Sequence, residues 1–187
     1  MLSWKWSPRN QPGMGKWGHQ GVGTMIYFRT ENLNKYAKLG LIGVPLKGDG
    51  EIVPALLGKH IPVGSLSAGT AKAQAEGGKL RILFSFDPAK EFGLDLSIPD
   101  LNTVFGNTIP DIEVAVYLVA PSKTPKENIQ IIERAMETIS KDPEFINETK
   151  KLNQMVSFAP GKVVMEEKIP KKVALIKTIM QETGQMK

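Results

Sequence analysis

A glycine-rich turn near the start of this 187-residue sequence is the segment best suited to binding chemistry. It consists of Gly18, His19, Gln20, Gly21, Val22, Gly23 and Thr24, and an apolar helical pattern follows it. The glycines allow backbone N–H groups to face outward, the threonine hydroxyl adds a donor, and the following helix contributes its positive end. The turn is therefore predicted to bind a carboxylate or a phosphate, and the alternative is a connection that only reverses the chain.

A second turn, Lys47-Gly48-Asp49-Gly50-Glu51, has the same features: flexible glycines and a predicted helix start, here with a lysine beside it. A solvated turn is the equally open alternative here. Ser65 and Ser67 end the next predicted strand. Because the carboxyl ends of parallel strands share one edge of a sheet, we expect one ligand site there. It would combine the two glycine-rich turns, and Ser65 and Ser67 would join them.

Other reactive groups are scarce. The sequence has no cysteine, which excludes disulfides, thiolate metal sites and cysteine nucleophiles. The two histidines, His19 and His60, lie far apart, and no spacing indicates a metal site. No serine elbow motif and no catalytic carboxylate pair is evident. The sequence therefore predicts neither an enzyme nor a cofactor, although an enzyme that acts on a phosphorylated substrate through the glycine-rich turn remains a minor alternative.

The charge distribution favours a small anion over a nucleic acid. Lys and Arg number 24 against 19 Asp and Glu, which gives a net charge of +5. The lysines are scattered, and many have an acid within a helical turn, so no basic stripe with interleaved aromatics forms. Residues 1–9 contain no apolar segment and no cleavage site, so this sequence predicts no secretory signal.

Strands and helices alternate along the first part of the chain, which predicts an α/β fold. Residues 1–16 are predicted to form an arm, and a helix is expected to begin after Thr24. Apolar runs predict strands over 39–44, 63–67 and 81–86, with helices over 52–57 and 68–76 between them.

The second part of the chain is predicted to contain one strand and three helices. Residues 112–120 form the most β-branched apolar run in the sequence. Thr124, Pro125 and Glu127 predict a capped helix, Asp142 begins a second one, and a third apolar stripe follows Pro170. One strand cannot make a sheet, so this part needs other strands to pack against.

Six motifs occur in the order and at the spacing of one protein family. They are Gly18 to Thr24, Val44 to Glu51, Ala55 to His60, Gly78 to Arg81, Ile98 to Leu101 and Ala120 to Pro125. In these motifs the chain resembles the extracytoplasmic substrate-binding proteins of tripartite tricarboxylate transporters, over roughly residues 10–160. Two positions depart from the family pattern: Pro62 stands where the family commonly has Asp, and Leu46 where it usually has an aromatic residue.

The resemblance implies a type 2 periplasmic binding-protein fold with two lobes that close on a small organic acid, such as a di- or tricarboxylate. Residues 1–112 would form the second lobe and 113–187 the returning part of the first, whose opening segment would be absent. The resemblance also implies a periplasmic location and membrane transporter subunits as partners. It carries the ligand-binding role onto His19, Gln20, Gly21, Val22, Gly23, Thr24, Lys47, Gly48, Asp49 and Ser67.

A different class of function stays open. Half of a cleft buries much less of a ligand than a closed one, so such a chain could bind nothing and act as a structural module. Exposed apolar faces on residues 113–187 would then favour a homodimer.

Overall fold

Three parallel strands form the sheet in the computed structural model, which describes residues 15–106, 109, 112, 114–182 and 184. The middle strand, β1 (Lys16–His19), lies between β2 (Ile42–Pro45) and β3 (Val63–Gly64). Parallel strands end at the same edge, so the turns that leave β1, β2 and β3 all begin there. Parallel strands alternating with helices confirm the predicted α/β class.

A helix follows each strand. The helices are α1 (Met25–Tyr36), α2 (Asp49–Leu57) and α3 (Ala68–Glu76). The hydroxyl of Thr24 accepts the Tyr27 N–H at 3.2 Å, which confirms the predicted cap of α1. Helix α2 begins three residues earlier than predicted, because Gly48 adopts φ 100° and turns the chain directly into the helix.

The first strand was not predicted from the sequence. Gly18 and His19 lie in β1, so the glycine-rich turn begins at Gln20. The predicted arm is wrong at its end, where Lys16 opens β1, and residues 1–14 of it lie outside the described residues. Gly18 fits because a Cβ atom there would lie 2.5 Å from Cδ1 of Ile61.

Two predicted strands are wrong. Across 81–86, the structure has only an isolated bridge between Ser85 and Asp100, while Phe84 and Phe86 pack against a core cluster through their side chains. The described residues of the 112–120 run likewise belong to no strand. In both places the local preference for extended backbone is present, but a sheet also requires a hydrogen-bonded partner strand.

Short helical segments lead into the second part of the chain. A 3₁₀ turn (Ala89–Phe92) and α4 (Leu101–Phe105) precede α5 (Lys126–Ser140) and α6 (Pro143–Lys151).

The two predicted caps in this part have different outcomes. Asp142 caps α6 as predicted, accepting the N–H groups of Glu144 and Phe145. The predicted capping box at Thr124 is wrong, because Pro125 occupies the cap position of α5 and no side chain there accepts a helix N–H.

The C-terminal helix begins well before Pro170, where the sequence predicted its start. It runs as α7 (Gly161–Val163), a π turn (Val164–Lys168) and α8 (Ile169–Glu182). A proline ring conflicts with the carbonyl four residues earlier in an α-helix. That residue, Glu166, lies in the wider π turn, so the helix passes through the proline.

The core joins both ends of the chain. Its first cluster contains Trp17, Tyr27, Phe28, Ile112 and Ile179, and its second contains Leu33, Leu101 and Ile109. Ile179 of α8 therefore packs against residues of β1 and α1. The division into 1–112 and 113–187 stays a prediction. None of the helices in the described part of the chain is long and apolar enough to cross a membrane.

Candidate functional site

The turn between β1 and α1 has an open backbone. Gly21 and Gly23 adopt φ 109° and 94°, and a Cβ atom at either position would meet nothing within 4 Å. The Thr24 hydroxyl donates to the Gly21 carbonyl at 3.0 Å, and this hydrogen bond holds the two ends of the turn together. Glycine is required here because L side chains rarely adopt these φ values.

Four N–H groups of this turn and helix start are unpaired. Within the described part of the chain, no acceptor contacts the backbone N–H of Val22, Gly23, Met25 or Ile26. The side chain of Val22 is 67% exposed. The first N–H groups of a helix carry its positive end, so this segment can accept a carboxylate or phosphate without a cationic side chain.

The carboxylate of Asp49 ties the three turns together at the sheet edge. Its Oδ1 accepts from Nε2 of Gln20 at 2.6 Å, and its Oδ2 accepts from both the backbone N–H (3.2 Å) and the hydroxyl (2.5 Å) of Ser67. Ser67 also contacts the hydroxyl of Thr70 at 3.0 Å. The Asp49 carboxylate thus contacts Ser67, the residue that precedes α3, and lies beside the start of that helix.

Asp49 is held in its charged form. Burial by itself raises the pKa of this carboxyl, but the hydrogen bonds from Ser67, Thr70 and Gln20 together outweigh burial and leave the pKa below its usual value. Asp49 is therefore a fixed negative charge at this edge of the sheet.

The predicted site residues fall into two groups. The structure brings Gln20, Asp49 and Ser67 into direct contact, as the parallel-sheet argument predicts. Ser65 points elsewhere, since its hydroxyl lies 2.9 Å from that of Thr30 in α1. Lys47 is exposed, and its backbone N–H donates to Oε2 of Glu51 at 2.9 Å. Ligand contact by these residues stays a prediction.

His19 lies in the core next to the turn and not on its surface. It is 1% exposed, and its ring lies 4.7 Å from the rings of both Trp17 and Tyr27, measured between centroids. Its Nδ1 accepts the Gly21 N–H at 3.2 Å, which requires an unprotonated nitrogen. His19 can thus hold the turn in place, but its Nδ1 is already occupied by the protein itself.

We expect the stability of the protein to fall in weak acid because of His19. Burial lowers the pKa of this imidazole below its usual value of 6.5. Below that value the unfolded chain takes up a proton that the folded protein resists, so stability is complete above pH 6.5 and decreases as pH falls toward the folded-state pKa. The slope should reach at most about 1.4 kcal/mol per pH unit in urea denaturation curves between about pH 7.5 and 5.

Two variants isolate this effect. His19→Gln should flatten the slope, and His60→Gln, the same change at an exposed position, is the matched control. Burial raises the pKa of Glu31, a shift of opposite sign, so the test is the difference between variants. Equal slopes in the two variants would contradict the assignment.

Sequence reasoning missed some residues of this site. Met25 and Ile26 contribute backbone N–H groups, which the Thr24 cap could have indicated, because the groups just after a cap lack helical partners. Thr70 joins the Asp49 cluster from α3, and no local signal identifies it. Among the described residues, no group of three or more His, Asp or Glu side chains could hold a metal ion.

A family model matches most of the chain, and one curated protein is similar to it. Residues 6–185 match the model of the tripartite tricarboxylate transporter family receptor, TctC. A UPF0065 protein of Bordetella pertussis is 23% identical over 140 residues, which are 74% of this chain and 42% of that protein.

Solved structures are similar to this chain in fold. R. palustris Rpa4515 with adipate superposes with a TM-score of 0.69 at 14% identity, covering 94% of this chain and 58% of that one. A periplasmic transporter gives 0.66 at 19% identity, with 93% and 57% covered. A TctC solute-binding protein from Polaromonas without ligand gives 0.60 at 17%, with 89% and 57% covered. The chain thus spans less than two thirds of the length of each of these relatives. The structural likeness confirms the predicted periplasmic binding-protein fold.

Proposed function

Because the chain belongs to the tripartite tricarboxylate transporter receptor family, we propose that it acts as an extracytoplasmic solute-binding protein for a small organic carboxylate. A di- or tricarboxylate is the proposed ligand class, and the presence of adipate with one structural neighbour supports it. The neighbour that is described as a periplasmic transporter supports a periplasmic location.

The observation that carries this proposal is the set of unpaired N–H groups at Val22, Gly23, Met25 and Ile26 within the described residues. One ligand carboxylate would accept hydrogen bonds from them at the start of α1. Because the Asp49 carboxylate already accepts the Ser67 N–H at the start of α3, a second anion is disfavoured at that helix. Asp49 and Ser67 would therefore shape the turns, and Gln20 would orient the turn that receives the acid.

The remaining parts of the proposal follow the family's architecture. Residues 1–112 and 113–187 would belong to different lobes whose closure excludes water from the acid. Lys47 is exposed near the same edge and would add a long-range attraction for anions. Membrane transporter subunits would receive the bound acid, and no chemical conversion of it is proposed.

Isothermal titration with adipate, succinate and citrate tests carboxylate binding. We expect heat of binding with at least one acid, and weaker binding at higher salt because the contact is electrostatic. The monoamide of the same acid should bind less tightly, since it lacks one charge. No heat with any of the three acids at millimolar concentration would contradict the proposal.

A pair of variants at Val22 locates the site. Val22→Glu places a negative charge beside the unpaired N–H groups and should weaken binding by about tenfold or more, because like charges repel and the new carboxylate competes for the donors. Val22→Gln has the same size without the charge and should bind nearly as the parent does. Equal affinities of the two variants would place the carboxylate elsewhere.

A second function is supported by apolar surface in the second part of the chain. Exposed apolar side chains cluster in α5, in α6 and in the run before α5; they are Val114, Val116, Leu118, Val119, Ile129, Ile131, Ile132, Met136, Ile139 and Phe145. Burial of such a surface favours association. Self-association into a homodimer is therefore the alternative function, and it does not require ligand binding.

A further inference from the structure

The helices that begin at this sheet edge differ in the charges at their starts. Helix α1 has no acidic residue in its first turn, and it begins with the N–H groups of the candidate site. Helix α2 has two acidic residues there, Asp49 and Glu51. Negative side chains in the first turn offset the positive end of a helix, so the start of α2 attracts an anion less than the start of α1 does.

The two carboxylates of α2 are held by backbone N–H groups at this edge. Oε2 of Glu51 accepts the Lys47 N–H at 2.9 Å, and Oδ2 of Asp49 accepts the Ser67 N–H at 3.2 Å. Glu51 and Lys47 are exposed, whereas Asp49 is partly buried. Water and salt screen exposed charges more than partly buried ones, so Asp49 contributes most to the electrostatic potential that a bound acid meets here.

Asp49 is connected to the turn before α1 through a single side chain. Gln20 directly precedes Gly21, and its Nε2 donates to Oδ1 of Asp49 at 2.6 Å. An acid whose first carboxylate binds the N–H groups of Val22 and Gly23 therefore has a fixed negative charge nearby. A second carboxylate on a short chain stays close to that charge and is repelled by it, whereas one on a long chain can extend away from it.

We propose that Asp49 determines ligand specificity at this site by disfavouring a second carboxylate close to the first. The ligand class is then narrowed to acids whose carboxylates are separated by a long flexible chain, so adipate is favoured over succinate and citrate. This inference rests on the proposed solute-binding function, and it concerns which acid is bound and not whether an acid is bound.

Isothermal titration with succinate and adipate tests this proposal, because the two acids differ only in the length of the chain between their carboxylates. Asp49→Asn removes the charge with little change in size, and it should tighten succinate binding about tenfold relative to adipate binding. Asp95→Asn is the matched control. Asp95 is an exposed aspartate that accepts from the N–H of Ser97, and its replacement should leave the ratio of the two affinities as in the parent protein.

Salt dependence gives a second measurement that needs no variant. In the parent protein, high salt screens the charge of Asp49 and should bring the two affinities closer together. An unchanged affinity ratio in Asp49→Asn, with circular dichroism as evidence of folding, would overturn the proposal; if this variant does not fold, a salt-independent ratio in the parent would overturn it. A parent that binds neither acid would overturn the solute-binding function together with this inference. A parent that binds both, with a ratio that Asp49→Asn leaves unchanged, would overturn the specificity assignment alone.

Discussion

Replacing Asp87 by asparagine is expected to lower the free energy of unfolding by about 1 to 3 kcal/mol, because the buried guanidinium of Arg29 loses the charge of a carboxylate that it contacts through two hydrogen bonds. Arg29 of α1 is 5% exposed, and its guanidinium donates two hydrogen bonds of 2.8 Å to the two carboxylate oxygens of Asp87. The guanidinium carbon also lies 4.8 Å from the centroid of the Phe86 ring. The amide that replaces the carboxylate would keep one acceptor but lose the charge. Because the Asp87 side chain is one-third exposed, the lower part of this range is expected.

Urea denaturation of four proteins measures this effect. The double variant Arg29→Met, Asp87→Asn should recover part of the loss, since it no longer buries the guanidinium charge. Glu137→Gln breaks the exposed pair with Lys141 and should change stability by less than about 0.5 kcal/mol. If Asp87→Asn destabilised the protein no more than Glu137→Gln, the pair would not be a determinant of stability.

The elements that could be predicted are those whose signals are local. Thr24 and Asp142 cap α1 and α6 by hydrogen bonds to N–H groups two or three residues away, so the sequence alone indicates where these helices begin. The end of α3 at Gly77 is also a local feature, because the N–H of Gly77 donates to the carbonyl of Ala73 within the same helix. Helix boundaries were predictable to this extent because capping depends on near neighbours.

Strands were predicted less well because their partners are distant in sequence. The central strand, Lys16–His19, contains a lysine, a glycine and a histidine, and only Trp17 resembles a core residue. It is a strand because β2 and β3 flank it. Residues 114–120 have the opposite character: their composition favours a strand, but no described residue pairs with them. Composition alone therefore misled in both directions.

The sequence predicted which turns of the candidate site lie together, but it did not predict the hydrogen bonds between them. Parallel-strand geometry correctly brought the turns at Gln20, Asp49 and Ser67 together. The sequence could not indicate that Asp49 would accept hydrogen bonds from Gln20, which lies 29 positions earlier, and from Ser67, which lies 18 positions later. It also could not indicate that the imidazole of His19 would be buried, since exposure depends on the packing of Trp17 and Tyr27 around it.

Replacing Asp49 by alanine is expected to lower the free energy of unfolding by about 2 kcal/mol. The variant loses the acceptor for Gln20 and for both the N–H and the hydroxyl of Ser67. Charge-assisted hydrogen bonds are the stronger kind, but partial exposure of the cluster limits the effect.

The pH dependence of stability in acid is a second and independent test of the contribution of Asp49. Because its pKa lies below the usual 3.8, its contribution to stability is complete above that pH and is lost as pH falls through the folded-state pKa. The stability difference between the parent protein and Asp49→Asn should therefore be constant from about pH 7 to 5 and shrink below pH 3.8 in urea denaturation. Asp95→Ala is the control, since this exposed aspartate accepts from the nearby Ser97 and, within the described ranges, its side chain has no acceptor role elsewhere. If Asp49→Ala and Asp95→Ala had the same effect at neutral pH, the three turns would be held together by the sheet alone.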